Sequence, residues 1–309
     1  MTKVIVEEIK YKNFGNCVRI SNGSIEIIVT IEKGPRIIRF SFEKGENIFF
    51  DTWPVEEDQS VENGSDGWAL LGGHRLWHSP ESSPRTYIPD NYPVKWNEIE
   101  NGIKVIQDEE KWTQIIKEME IIILEDNKVK VTHIITNRNA WPVQLAAWPI
   151  SVMSAGGLEV IPQPNRETGF LANRSIALWP YSKMNDKRVY WGEKYITIKH
   201  IPTENKFANP FKFGINNEKG WAAYFNNNNL YIKRYYHNNS NNYTDYGSSY
   251  ETFINNAYVE METLSPTTTI NFDEKIIHEE VWELHDNIAM PSFNDENLLD
   301  EVLNNVLNS

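Results

Sequence analysis

Two short stretches of the chain concentrate side chains able to move protons. Gly72 to Glu81 reads GGHRLWHSPE and holds His74, Arg75, Trp77, His78 and Glu81 between a glycine pair and a proline-glutamate end. Ala257 to Pro266 reads AYVEMETLSP; in a strand, Tyr258, Glu260 and Glu262 share one face while Val259 and Met261 share the other. Carboxylates about 7 Å apart along one strand face would, inside a pocket, raise the pKa of one of them and suit it to act as a general base near neutral pH. On an open sheet the same pair is simply a solvated polar face.

His74 and His78 are four positions apart and so share a face of a helix or of a strand. Three readings are open for them. A zinc centre needs a third ligand and, for a hydrolase, usually a glutamate beside the first histidine; Arg75 stands in that place, and its cation disfavours a metal ion nearby, so no metal is expected. An acid/base site needs one imidazole held in a pocket, with Arg75 or Trp77 orienting the ligand. A structural segment would use His74 and Arg75 to satisfy buried backbone groups. Gly72 and Gly73 permit a sharp bend and close backbone approach, and Pro80 ends the segment.

A third stretch, Tyr231 to Phe253, offers Lys233, Arg234, Tyr243, Asp245 and Glu251 as groups able to grip hydroxyls. Among weaker candidates, His133 reads as a core histidine on an apolar strand face, His278 and His285 flank Trp282, and Asp51 and Trp53 precede an acidic loop. No glycine-rich phosphate loop follows a strand and no Gly-X-Ser-X-Gly elbow occurs, which removes nucleotide and serine-esterase chemistry.

These residues sit in a chain dominated by period-2 alternation. IEIIVTI (25–31), RIIRFSF (36–42) and GIKVIQ (102–107) are short β-branched runs bounded by turn formers. Between Lys117 and Ile135 a hairpin is predicted, with Glu125-Asp126-Asn127 as its turn. Many such strands without a composition break predict an all-β protein, a large antiparallel two-sheet sandwich in one domain over 1–290. From 291 to 309, apolar residues at Leu298, Leu299, Val302, Leu303, Val306 and Leu307 predict an amphipathic C-terminal helix packed on it.

The composition narrows the partners. A formal charge of −13 over 309 residues argues against nucleic acid, whose binders concentrate lysine and arginine on one stripe. Eleven tryptophans supply flat platforms for the apolar faces of sugars. The single cysteine, Cys17, suits a reducing compartment, and the acidic N-terminal stretch lacks the apolar run of a signal peptide or a membrane span. A soluble cytoplasmic protein is expected, with no membrane partner, as a monomer or homodimer.

With those residues in place, the chain resembles the galactose mutarotase-like superfamily, in an uncharacterised aldose 1-epimerase-like branch. GPRIIRFSFEKGENIF (34–49) is similar to the opening strand pair, GGHRLWHSPE to the histidine-bearing loop, and the block from YIKRYY through YVEMETLSPTTTI to the glutamate strand. The resemblance implies a supersandwich with a sugar-sized site on one concave sheet face. It implies that Glu262, in Met-Glu-Thr-Leu, is the base that takes the anomeric hydroxyl proton, and that His74 is the acid that protonates the ring oxygen. The ring then opens, C1 rotates and closure gives the other anomer, with no cofactor. Asp245 would hold sugar hydroxyls, with Arg36, Arg75 and Lys233 as further contacts; Trp77, His78, Trp148 and Glu260 complete the expected binding set. Two departures stand out: the family's His-Gly-Gly order is inverted, and its second histidine has no counterpart, the corresponding region offering Trp148. His78 is then the alternative donor, and a carbohydrate-binding protein without turnover is the alternative function.

Overall fold

The computed structural model describes residues 3–51, 68–203 and 209–307; Trp53 lies outside them. Strand alternation sorts the side chains into two antiparallel sheets, one of eleven strands and one of ten, stacked face to face. RIIRFSF is the strand Arg36–Phe42, and the predicted hairpin is the pair Ile115–Ile123 and Lys128–Asn137. Its turn places Asp126 and Asn127 at φ +55° and +58°, a left-handed conformation those two side chains tolerate better than most.

Between the sheets lies the main core. Phe40 and Phe49 from the larger sheet meet Tyr231 and Trp282 from the smaller one, with ring centroids 5.4–6.1 Å apart. Polar groups also cross this core and pair between the sheets. Glu159 of the smaller sheet binds the hydroxyls of Tyr250 (2.6 Å) and Thr252 (2.7 Å) of the larger one. Lys233 reaches across to the Met261 carbonyl (3.1 Å) and pairs with Glu280 on the neighbouring strand (3.1 Å).

The helix Glu296–Leu307 covers the outer face of the smaller sheet. Leu299 and Leu303 are fully buried there against Leu158, Tyr195, Trp221 and Phe225. Asp295 caps it through the Leu298 N–H (3.1 Å). Glu296 instead reaches to the sheet and accepts the backbone N–H groups of Lys194 (2.7 Å) and Tyr195 (2.9 Å), fastening helix to strand. No helix among the described residues is long and apolar enough to cross a membrane.

Burial pushes the Glu159 carboxyl up to about 8, against the hydrogen bonds of Tyr250 and Thr252 that favour its charged form. Its folded pKa is therefore above its unfolded one, so the stability it contributes is complete below about 4.5 and is lost as pH rises through about 8. Denaturant titrations should show about 1 kcal/mol lost between pH 7 and pH 9 in the wild type and not in Glu159→Gln. Equal pH slopes in the two proteins would contradict a protonated Glu159 between the sheets.

Candidate functional site

The strand His74–Ser79 begins with a constraint on its entry. Gly72 and Gly73 have φ +81° and +65°, and a Cβ on Gly73 would stand 2.5 Å from the Ile37 carbonyl oxygen, so the pair admits no side chain. The bend delivers the strand with a fixed parity: His74, Leu76 and His78 point inward between the sheets, while Arg75 and Trp77 point outward. Four more strands continue this sheet in the order Val143–Met153, Val259–Thr263, Tyr250–Ile254 and Phe211–Ile215. In register, Arg75 lies opposite Ile150, Ile150 opposite Glu262, Glu262 opposite Glu251, and Phe253 opposite Lys212. All of these side chains emerge on the outer face.

There they border a cavity of about 420 Å³, the size of a small-molecule site. Its walls are aromatic, with Trp68, Trp77, Trp148, Tyr87 and Tyr258 around it and Tyr181 also lining it; Trp77 packs edge-on against Trp148 at 5.5 Å. Arg75, Lys212, Glu81 and Glu260 supply the polar lining. Arg75 donates to Glu260 (3.1 Å) and lies over Trp77 at 4.5 Å, while its Nε and Nη1 have no protein partner. A buried guanidinium with two unpartnered nitrogens beside a cavity is a ready donor to ligand oxygens.

The floor is ionic. Lys212 bridges two carboxylates, Glu262 at 2.8 Å and Glu251 at 2.9 Å, and all three groups are buried. Trp148 donates its indole N–H to Glu262 Oε2 (2.8 Å), and the ammonium lies over the rings of Trp148 (4.7 Å) and Trp179 (4.8 Å). Glu262 Oε1 is left without a partner. Burial raises the Glu262 pKa, partly offset by Lys212, and raises that of Glu251 well above the carboxylate range, Glu262 adding to the effect. For Lys212 burial opposes the charge, but the two carboxylates outweigh it and hold its pKa well above the ordinary value.

The predicted set divides between this cavity and the interior. Arg75, Trp77, Trp148 and Glu260 line the cavity; Glu262 lies fully buried beneath the lining, joined to it through Trp148 and Lys212. His74 does not join them. It is fully buried on the opposite sheet face, where its Nε2–H donates to His133 Nε2 (2.7 Å) and its Nδ1 accepts from Ser151 (2.8 Å), a tautomer set by His133 Nδ1–H donating to the His278 carbonyl (3.0 Å). Burial, then Lys233 and His133, hold the His74 pKa well below the imidazole range, so it is neutral. His78 points the same way and is neutral through burial and the nearby Lys117 and Arg85. Neither histidine can meet Glu262 across one pocket, because residues two apart on a strand share a face and Arg75 holds the outward one.

Arg36 is also interior, locked to Asp90 by two hydrogen bonds (2.6 and 2.8 Å), and Lys233 is held by Glu280 and the Met261 carbonyl. Asp245 stands in a turn at φ +49°, 3.5 Å from the Ser79 hydroxyl and outside the cavity lining. His74, His133 and Glu280 bring ligand atoms within 4.8 Å of one another, a donor set that zinc uses. Those atoms are engaged by protein partners: the two imidazoles by each other, and Glu280 by Lys233, Thr263 and the Trp282 indole N–H. The cluster is thus closed as a hydrogen-bonded seam.

Lys212 escaped the sequence reading, although a signal was present. FKFGI alternates Phe211, Phe213 and Ile215 inward, and a lysine between two phenylalanines in such a run must be outward or paired. Trp68 and Tyr181 come from loops and Tyr87 from the single 3-10 turn Arg85–Tyr87, where no period predicts direction.

Comparison with protein families finds no matching family model, and comparison with curated proteins finds no match. Solved structures do match. A putative aldose 1-epimerase from Klebsiella pneumoniae superposes with TM-score 0.64 at 13% identity, covering 98% of this chain and 87% of that one. A galactose mutarotase-like protein from Lactobacillus casei gives 0.58 at 8% identity, covering 87% and 100%. A TPR-domain containing protein from Parabacteroides distasonis gives 0.58 at 11%; it covers 89% of this chain, which spans about half (48%) of that one.

The floor makes a stability prediction. Lys212→Met leaves two facing carboxyl groups, at least one of them ionised, without their cation and should cost about 3–5 kcal/mol at neutral pH. The Glu251 pKa is already raised, so the penalty should shrink at pH 5, where a carboxyl can protonate, and grow at pH 8. Denaturant unfolding of the variant at the three pH values tests this; a penalty independent of pH would contradict the bridge.

Proposed function

From the galactose mutarotase-like fold of this chain, we propose that it binds a sugar ring in the aromatic cavity and acts as an aldose 1-epimerase-like isomerase with Glu262 as the base. The observation that carries this reading is Glu262 itself: a buried carboxylate with one unpartnered oxygen, directly behind Trp148 and Lys212 in the wall of a sugar-sized aromatic cavity. Burial raises its basicity, and Lys212 with Trp148 fixes its orientation through Oε2, leaving Oε1 for a ligand proton. The indoles offer stacking surface to the C–H face of a pyranose, and Arg75 with Glu260 offers donors and acceptors to its hydroxyls. Glu262 would take the O1 proton, the C1–O5 bond would open, and C1 would rotate before closure.

A second reading, carbohydrate binding without turnover, is favoured by one specific observation. Both histidines of the GGHRLWHSPE segment face the interior, so the imidazole donor that the family likeness implies is missing from the cavity lining. The two readings separate in one experiment. Exchange NMR on freshly dissolved glucose, galactose, mannose and xylose should show anomer interconversion above the spontaneous rate, reduced about 100-fold or more in Glu262→Gln. Saturable binding heats with only the spontaneous rate would establish the second reading, and neither heats nor rate with any sugar would contradict both.

A further inference from the structure

Resting on the isomerase reading, we propose that Lys212 and Glu251 form the acid arm of the site, Lys212 giving the ring oxygen its proton and Glu251 replacing it. Three placements support this. Lys212 lines the cavity and lies within 2.8 Å of the proposed base, so one sugar can meet both groups. Glu251 is directly across from Glu262 in register, is 1% exposed and contacts the same Lys212 ammonium (2.9 Å), with its Oε1 unpartnered. Gly214 lies opposite Glu251 in the next strand; a Cβ there would meet Ser248 first (Oγ at 2.3 Å) and then Glu251 Cγ at 3.2 Å, so no side chain stands at the position facing the second carboxyl.

Charge balance gives Glu251 its proton. Two carboxylates and one ammonium in a dry floor sum to −1, and a buried uncompensated charge is costly, so one further proton makes the cluster neutral. The groups acting on Glu251 are Lys212 from its own neighbour strand, Glu262 from the other, and Asp245 from the turn above; Glu260 acts on Glu262. Burial and the two acids raise the Glu251 carboxyl well above its ordinary range despite Lys212, which agrees with Glu251 as the protonated member.

The proton traffic balances. As the O1–H bond breaks, Glu262 Oε1 takes the proton, the O1 electrons form C1=O, and the C1–O5 bond breaks. With Glu251 neutral and Glu262 now carrying the O1 proton, no carboxylate charge holds the Lys212 proton and burial favours the amine; O5 takes that proton, and the lysine amine takes one from Glu251, which becomes a carboxylate. After rotation about C1–C2 each transfer reverses: O5 attacks C1, its proton returns to Lys212 and thence to Glu251, and O1 recovers the proton held by Glu262. Lys212 is the catalytic acid; Glu251, which does not touch the sugar, is a positioning and recharging residue.

The test uses the full chain labelled with ¹³C at glutamate Cδ. At pH 7 the Glu251 resonance, identified by its loss in Glu251→Gln, should have the shift of a neutral carboxyl, and a carboxylate shift there would overturn the proposal. In exchange NMR, Lys212→Arg keeps a cation between the acids but holds its proton too tightly to transfer it, and should lose about 100-fold in rate. Glu251→Gln should lower the rate and remove the alkaline limb of its pH profile while leaving sugar affinity in place. An active wild type with a full rate in Lys212→Arg would overturn the acid assignment and leave the isomerase reading standing. If no sugar is turned over, the isomerase reading fails first, and the carboxyl resonance still decides where the floor keeps its extra proton.

Discussion

Two glutamates directly opposite each other on neighbouring strands, both removed from water, are tolerable only because Lys212 stands between them. Like charges in that position repel, and each carboxylate alone would be driven to take a proton. The ammonium resolves the conflict, and the indoles of Trp148 and Trp179 hold it in place. That bridge orients Glu262, shapes the cavity floor and leaves one carboxylate oxygen free. An aromatic wall above it then has something to present a ligand to.

Parity connects the bridge to the rest of the sandwich. The glycine bend before His74 determines which residues of one strand face out, and the cross-strand register carries that choice through the Val143, Val259, Tyr250 and Phe211 strands. Arg75, Glu262, Glu251 and Lys212 thus share one face, while His74, Ser151 and Thr263 share the other and meet His133 and His278 from the second sheet. One face became a cavity with free polar atoms, the other a closed hydrogen-bonded seam. The same alternation produced both.

The sandwich was legible because alternation repeats in strand after strand: the Arg36–Phe42 strand, the hairpin around Asp126-Asn127 and the helix Glu296–Leu307 all read directly from period and turn chemistry. Glu260 and Glu262 sharing a face was legible for the same reason. Which face of the GGHRLWHSPE strand turns outward was not, since alternation relates residues to one another and not to the solvent. Hence His74 and His78 were expected in a pocket, whereas Arg75 and Trp77 occupy it. The family resemblance implied Arg36 and Lys233 as ligand contacts; their partners Asp90 and Glu280 lie 54 and 47 positions away, beyond any local pattern. Lys212 was overlooked as a lone cation in an apolar run.

A crystal structure of the protein with a bound monosaccharide would show whether a sugar sits over the Glu262–Lys212–Glu251 cluster between the tryptophans. A pyranose is expected stacked on Trp77 or Trp148, with its anomeric oxygen within hydrogen-bond reach of Glu262 Oε1 and its ring oxygen facing Lys212. A sugar bound elsewhere on the sandwich, with this cavity left to solvent, would contradict this placement.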